Sequence, residues 1–206
     1  MDITEADLAN LRQVLCFTRD LEINGRGLQE TLSRLDPVTI KLLRCFKQLE
    51  SLSLTAWDSG EFGAEQLFAC FRHFCKTVID LAVEGEMNAE SLIFLTSMFP
   101  RLHGLQITVF DEETAAWIIS QGDLPAMGRF QGSLYLSGLH DHHDFLVFLA
   151  STSLKFRTIY IHNCDSGDEV GELPDSSAAT LESLSLQFGE DDPWGESPDI
   201  WNRILD

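Results

Sequence analysis

The stretch Phe99-Pro-Arg-Leu-His-Gly-Leu-Gln-Ile107 decides the fold of this chain. It recurs as Phe46-Lys-Gln-Leu-Glu-Ser-Leu-Ser-Leu54, with a phenylalanine and three aliphatic residues on the same spacing. The shared pattern is F-x-x-L-x-x-L-x-L. Its L-x-L end predicts a β-strand that buries one face, because alternate side chains of a strand point to the same side.

Seven copies of this two-residue strand core run along the chain, and their starts lie 24 to 31 residues apart. The cores are Leu21/Ile23, Leu52/Leu54, Leu81/Val83, Leu105/Ile107, Leu134/Leu136, Ile159/Ile161 and Leu184/Leu186. A unit of this size cannot bury its own apolar face, so the repetition predicts a solenoid whose neighbouring units share one core. We expect a single domain over residues 1–206, with 189–206 as an acidic C-terminal capping segment.

Between the strand cores the spacing of apolar residues changes to about 3.6, which is typical of helices. Asp36-Pro37 predicts an N-cap and first turn, and Asn88 or Ala89 begins a further helix. Asp111 and Asp141 are candidate N-caps of two more, and a polar loop at 165–180 replaces the sixth. The stripe between the second and third strands consists of Leu67, Phe68, Phe71, Phe74 and Cys75. Alternation of strand and helix predicts an α/β fold of about seven roughly parallel strands, with helices on one face.

Charge and cysteine content restrict the partners and the compartment. The 206 residues carry 14 Lys and Arg against 33 Asp and Glu, a formal charge of −19. Such a surface repels phosphate backbones and anionic lipids, so we expect neither nucleic acid nor membrane as a partner. The first residues are acidic where a signal peptide would be basic. Five cysteines without a C-x-x-C pair indicate reduced core thiols of an intracellular protein, cytoplasmic or nuclear.

Leu49–Leu54, Leu102–Ile107 and Leu181–Leu186 resemble the L-x-x-L-x-L core of leucine-rich repeats. The position at which that family places Asn or Cys after the strand is occupied here by Trp57, Phe110, Cys164 and Gly189, of which Cys164 alone fits. The resemblance therefore implies an irregular version of the leucine-rich-repeat solenoid.

Over roughly residues 15–190, the chain is similar to degenerate leucine-rich-repeat regions of fungal F-box-like proteins, and three phrases carry the similarity. They are Leu49-Glu-Ser-Leu-Ser-Leu-Thr-Ala-Trp57, Phe71-Arg-His-Phe74 and Glu90-Ser-Leu-Ile-Phe-Leu-Thr-Ser-Met-Phe-Pro100. In that family a Leu-Pro-containing helical module docks a ubiquitin-ligase scaffold, and the repeats recruit a target. The first 20 residues here contain no proline. The resemblance thus implies the target-recognition part, without a cofactor and without affinity for the scaffold.

Three other motifs suggest chemistry. His140-Asp-His-His-Asp144 offers imidazoles and carboxylates suited to zinc or nickel, and the alternative function is a small metal-dependent enzyme that uses His140–His143. Against it, a polar helix start capped by Asp141 explains the same residues. The Asp-Ser-Gly triplets at Asp58 and Asp165 resemble aspartic-protease loops, but their repeat phase favours turns at strand exits. Gly25-Arg-Gly27 lacks the third glycine of a dinucleotide site.

A row of residues lies between the two core aliphatics of each strand and must therefore point away from the helices. The row is Glu22, Ser53, Ala82, Gln106, Tyr135, Tyr160 and Ser185. It contains both tyrosines of the chain, on adjacent strands, and tyrosine suits a recognition surface. The alternative is that aromatic residues simply favour strands. We predict a non-catalytic site for a basic protein partner, formed by Tyr135, Tyr160, His162, Gln106, Ser133 and Thr158.

Overall fold

A computed structural model describes residues 5–24, 30–32, 34–58, 69–87, 89–110, 130–137, 149–150, 154–164 and 176–188. These residues contain a seven-stranded parallel sheet whose strands follow one another in sequence order. The strands are β1 (Asp20–Asn24), β2 (Ser51–Asp58), β3 (Asp80–Met87), β4 (Gly104–Phe110), β5 (Gln131–Ser137), β6 (Lys155–Cys164) and β7 (Ser183–Phe188). The predicted α/β fold with seven parallel strands is confirmed.

The strand cores pair in the register that the repeat predicts. Leu21 of β1 lies beside Leu52, which lies beside Leu81, and Leu81 lies beside Leu105. The same row continues through Leu134, Ile159 and Leu184. A shift of one residue would turn an entire aliphatic row to the other face, so burial of that row fixes the register.

The aliphatic face of the sheet forms one hydrophobic core with the residues that precede the strands. Leu52, Leu81, Leu105 and Leu134 are buried, as predicted. Phe46 and Phe99, which open the two copies of the nine-residue pattern, are also buried. The ring of Phe46 meets that of Phe74 edge-on, at a centroid distance of 6.4 Å. Phenylalanine side chains from several units thus fill the space between the strands and the segments that connect them.

Helix α1 spans Glu5–Leu15, α2 spans Pro37–Leu43 and α3 spans Ala89–Met98. The Asp36 cap is confirmed, because its carboxylate accepts a hydrogen bond of 2.8 Å from the Thr39 backbone N–H. Of the predicted stripe, Phe71, Phe74 and Cys75 are described, and a 3₁₀ turn spans Arg72–Phe74. The turn still buries Phe71 and Phe74. Helix α1 lies N-terminal to the first repeat, where the apolar pattern did not indicate it.

The strands become irregular near their carboxyl ends. The register shifts between Thr55 and Trp57, between Val83 and Glu86, and between His162 and Cys164. All three shifts end at the third residue after the last core aliphatic, namely Trp57, Glu86 and Cys164, which is where leucine-rich repeats carry Asn or Cys. A bulge leaves a backbone group unpaired and bends the strand. Irregular pairing thus occurs both where the exit residue departs from that pattern, at Trp57, and where it fits, at Cys164.

Several sequence predictions fall outside the described residues. They are the Asp111 and Asp141 caps, the His140–Asp144 cluster, the Asp165 triplet and the 189–206 segment, and the rejected Gly25–Gly27 motif also lies there. Of the polar loop at 165–180, residues 176–180 are described, and there Ser177 Oγ accepts the Phe156 N–H at 3.2 Å. Among the helices of the described ranges, none has the length and apolar character needed to cross a membrane.

Candidate partner-binding site on the open face of the sheet

The face of the sheet opposite the core is accessible in every strand. None of the side chains between the paired core aliphatics is buried, and those of Glu22, Gln106, Tyr135 and Ser185 are exposed. We call this surface the open face and define it by the row Glu22, Ser53, Ala82, Gln106, Tyr135, Tyr160 and Ser185. Alternation along each strand produces it, because burying the L-x-L pair turns the middle residue outward.

Tyr135 and Tyr160 are directly paired across β5 and β6. Their ring centroids lie 5.9 Å apart, and the ring planes are inclined by 42°. Tyr135 is 43% exposed, whereas Tyr160 is partly covered. Two aromatic rings in contact hold each other in place and so present a rigid, largely apolar surface with polar hydroxyls. The structure thus brings the two tyrosines together, and their part in binding a partner stays a prediction.

His162 extends the aromatic surface along β6. Its imidazole ring lies 6.4 Å from that of Tyr160, and the two planes are only 17° apart. On the neighbouring strand β7, Gln187 is paired with His162. The Tyr160 hydroxyl donates a hydrogen bond of 3.3 Å to Gln187 Oε1. Gln187 therefore fixes the direction of the phenol, and the sequence analysis did not include this residue in the site.

Short polar side chains flank the tyrosines. Ser133 and Thr158 are paired with each other, two residues before the tyrosines on the same strands. Gln106 of β4 is paired with Tyr135. All three side chains keep access to solvent. Hydroxyl and amide groups beside a flat aromatic centre provide donors and acceptors for a partner without covering the rings. All six predicted site residues thus lie in one continuous region, at the middle and C-terminal strands of the sheet.

The other half of the open face is acidic, a feature that the sequence analysis did not include. Asp20 and Glu22 come from β1, and Asp80 and Glu84 come from β3. All four are exposed. Glu22 Oε1 accepts hydrogen bonds from Asn24 Nδ2 at 3.2 Å and from Thr55 Oγ1 at 3.4 Å. Asp20 and Asp80 stand at the same position of the repeat, one residue before the strand core, and that shared phase is the signal that could have located them in the sequence.

The aromatic, hydroxyl and amide groups of the open face can stack and form hydrogen bonds, and its carboxylates attract cations. Over the described residues, no group of three or more His, Cys, Asp or Glu side chains is arranged to hold a metal ion. The His140–Asp144 cluster lies outside those residues, so the metal-enzyme alternative has no described geometry. Cys70 lies in the core, where burial raises the pKa of its thiol to about 11 and keeps it uncharged at neutral pH.

Comparison with known proteins adds no relative: no protein-family model, no curated protein and no solved structure matches the chain. The geometry of the open face is therefore the basis on which a function is assigned to this chain.

Proposed function

We propose that this protein is a non-catalytic protein–protein interaction module, built as an irregular leucine-rich-repeat-like solenoid. Its role would be that of the target-recognition region of an F-box-like ubiquitin-ligase adaptor. One observation carries the proposal, namely the contact of Tyr135 with Tyr160 on an exposed face of the sheet. The sequential order of seven parallel strands supports the solenoid, since each unit contacts its neighbours along the chain.

Tyrosine pairs of this kind suit the centre of an interface. A tyrosine has only two side-chain torsions, so fixing it on binding costs less entropy than fixing a long flexible side chain. Here the ring contact and the Gln187 hydrogen bond reduce that freedom before any partner arrives. Preorganised aromatic residues of this type are enriched among the few positions that supply most of the binding energy of an interface.

The acidic half of the open face indicates the charge of the partner. Asp20, Glu22, Asp80 and Glu84 add a local negative field to a chain whose formal charge is already −19. Complementary charge raises association rates and disfavours partners of like charge. A protein partner that places apolar or aromatic groups on the tyrosines and Lys or Arg over β1–β3 fits both halves.

Intracellular placement belongs to the same proposal. Cys45 and Cys70 are free and buried, and Cys16 and Cys75 are free and partly buried. Buried thiols that pack as small apolar side chains suit a reducing compartment.

The test is the double change Tyr135→Ala with Tyr160→Ala. The partner is first captured from the source lysate on wild-type protein, identified by mass spectrometry, purified and measured for affinity. We expect the double variant to keep its fold and to bind about 30-fold more weakly, which corresponds to about 2 kcal/mol.

The matched control is Val14→Ala with Phe17→Ala. Val14 is 67% exposed and Phe17 is 69% exposed, so this change also removes surface apolar groups, but at the N-terminal end of the chain. Full affinity in the control together with loss in the tyrosine variant locates the site. A tyrosine variant that captures the partner with wild-type affinity contradicts the proposal.

A further inference from the structure

A cavity of about 250 Å³ opens at the edge where the strands begin. Three consecutive connections form it: residues 47–50 before β2, residues 77–79 before β3, and Arg101 before β4. Its lining consists of Lys47, Gln48, Glu50, Thr77, Ile79 and Arg101. The site is thus built from equivalent positions of successive repeats, at the end of the sheet opposite the irregular strand exits.

Lys47 is held in this cavity by a histidine. Its Nζ lies 3.2 Å from Nε2 of His73, and because an ammonium only donates hydrogen bonds, that ring nitrogen must accept. The pKa of His73 is lowered by burial first, and then by the positive charges of Lys47, Arg44 and Arg72. The ring is therefore neutral at pH 7 and available as an acceptor. One of the three ammonium protons is bound there, which leaves two for another acceptor.

Arg101 lies in the connection before β4 and is held by a residue of the connection before β3. Its Nη1 donates to the backbone oxygen of Lys76 at 3.1 Å, which fixes one arm of the guanidinium group. A guanidinium carries five N–H donors in a planar fork, so one bond leaves donors for a ligand. Lys47 and Arg101 are both exposed, and both line the same cavity.

The lining of this cavity carries more positive than negative charge, although the whole molecule is acidic. Arg44, Lys47, Arg72, Lys76 and Arg101 are five of the 14 basic residues in a chain of formal charge −19. Glu50 is the acidic member of the lining, and its Oε2 lies 3.4 Å from Arg19 Nη1. A concentration of cations in an acidic protein raises the local concentration of anions in spite of the overall repulsion.

We propose that this cavity binds one oxyanion, a phosphate monoester or a carboxylate carried by a peptide ligand. Lys47 and Arg101 provide charge-assisted donors from two sides. A polyanion such as nucleic acid would extend over the surrounding acidic surface and be repelled. The volume is just below the ~300–1,000 Å³ of pockets that enclose a drug-sized molecule, so the cavity suits one group of a larger ligand. Ile79 offers an apolar contact for the carbon chain that carries the group.

The test uses the full chain and three capped peptides that differ at one position: phosphoserine, glutamate or serine. Each is titrated at constant ionic strength, with NMR signals of His73, Thr77 and Arg101 as reporters and calorimetry for affinity. We expect the phosphoserine or glutamate peptide to shift these signals, and the serine peptide to leave them unchanged. Preference between the two anionic peptides identifies phosphate or carboxylate as the natural group.

The variant Lys47→Gln with Arg101→Gln should weaken anionic-peptide binding at least tenfold. Its matched control, Arg12→Gln with Lys41→Gln, removes the same charge from exposed positions on α1 and α2 outside the lining. The control should bind like wild type. Equal loss in the control, equal binding of the serine peptide, or wild-type shifts centred elsewhere would overturn the proposal. The titration of the wild-type protein tests the proposal by itself. The proposal can therefore be contradicted even if the double variant does not fold.

Discussion

Two glycines near the beginning of neighbouring strands each leave no room for a side chain, but different kinds of atoms occupy the space. A methyl group added at Gly132 in β5 would overlap the backbone carbonyl of His103. A methyl group added at Gly104 in β4 would instead meet the carboxylate of Asp80, which is a side chain. Backbone held in a sheet cannot retreat, whereas an exposed side chain can rotate away. The two positions therefore form a matched pair.

We expect Gly132→Ala to destabilise the protein by about 1–3 kcal/mol, the usual cost of overpacking, and Gly104→Ala to cost clearly less. The Gly132 change also strains the hydrogen bond of 2.7 Å from Ser133 N to His103 O, beside the register shift at Gly132. Urea unfolding of both variants measures the difference. Equal midpoints for the two variants would show that β5 does not approach His103 this closely.

For single residues, the sequence predicts the face of the sheet on which a side chain lies better than it predicts the atoms that surround it. The outward direction of Tyr135 and Tyr160 follows from alternation with buried aliphatics, and so it was predictable. The close approach of His103 to Gly132 was not, since it depends on a residue 29 positions away. The same holds for Gln187, whose contact with Tyr160 requires knowing which strand lies alongside.

Among the helices, α2 has a start that sequence alone could place. Asp36 lies at the N-cap, Pro37 occupies the first turn, and Asp36 Oδ2 accepts from both the backbone N–H and the hydroxyl of Thr39, at 2.8 and 3.0 Å. These bonds favour the charged carboxylate, and the Thr39 backbone bond is the main cause of its lowered pKa. The cap is therefore strongest when Asp36 is ionised.

Asp36→Ala should lower the urea midpoint, because the Thr39 N–H loses its acceptor. Asp36→Asn keeps a side-chain oxygen for the cap and should stay closer to wild type. A depressed carboxylate pKa contributes stability that is present above the ordinary value of 3.8 and is lost as pH falls below it. The difference in urea midpoint between wild type and Asp36→Ala should consequently be smaller at pH 3 than at neutral pH. A difference that grows on acidification would mean that the cap does not depend on the charge.

Other elements were predictable only in part. Helix α3 begins at Ala89, one of the two predicted starts, because apolar residues recur there at helical spacing. Helix α1 was not predicted. Its residues Leu11 and Val14 are exposed, so the helix has no buried apolar stripe of the kind that indicated the others. The strand cores followed from L-x-L, whereas the bulges beyond Thr55, Val83 and His162 did not. A bulge depends on how two strands diverge, and neither strand alone records that divergence.

Across the whole molecule, the repeat predicts more than any single element does. The seven cores share one register row, from Leu21 to Leu184, because each buries the same face against the same layer. Function is less predictable, since two surfaces of opposite charge arise from residues scattered over several repeats. The repeat predicts which strands are neighbours, but the side-chain contacts that form the Lys47–Arg101 cavity, such as that of Lys47 with His73, do not follow from it.

Position within the array should decide how much a core leucine contributes. Leu134 of β5 is buried, with β4 and β6 on either side, whereas Leu184 of β7 is only partly buried and has one described neighbour, β6. In a one-dimensional array each unit is stabilised by the units beside it, and an end unit has fewer. The same truncation should therefore have unequal effects at these two sites.

Leu134→Ala should cost about 2–5 kcal/mol, because it opens a cavity between strands that cannot close around it. Leu52→Ala, Leu81→Ala and Leu105→Ala should behave alike, since their side chains are buried in the same row. Leu184→Ala should cost less, and it should speed amide exchange mainly in β7 and leave the central strands protected. Urea midpoints and hydrogen exchange measure both effects. Uniform loss of protection across β1–β7 in the Leu184 variant would indicate a single all-or-none core and would argue against the repeat array.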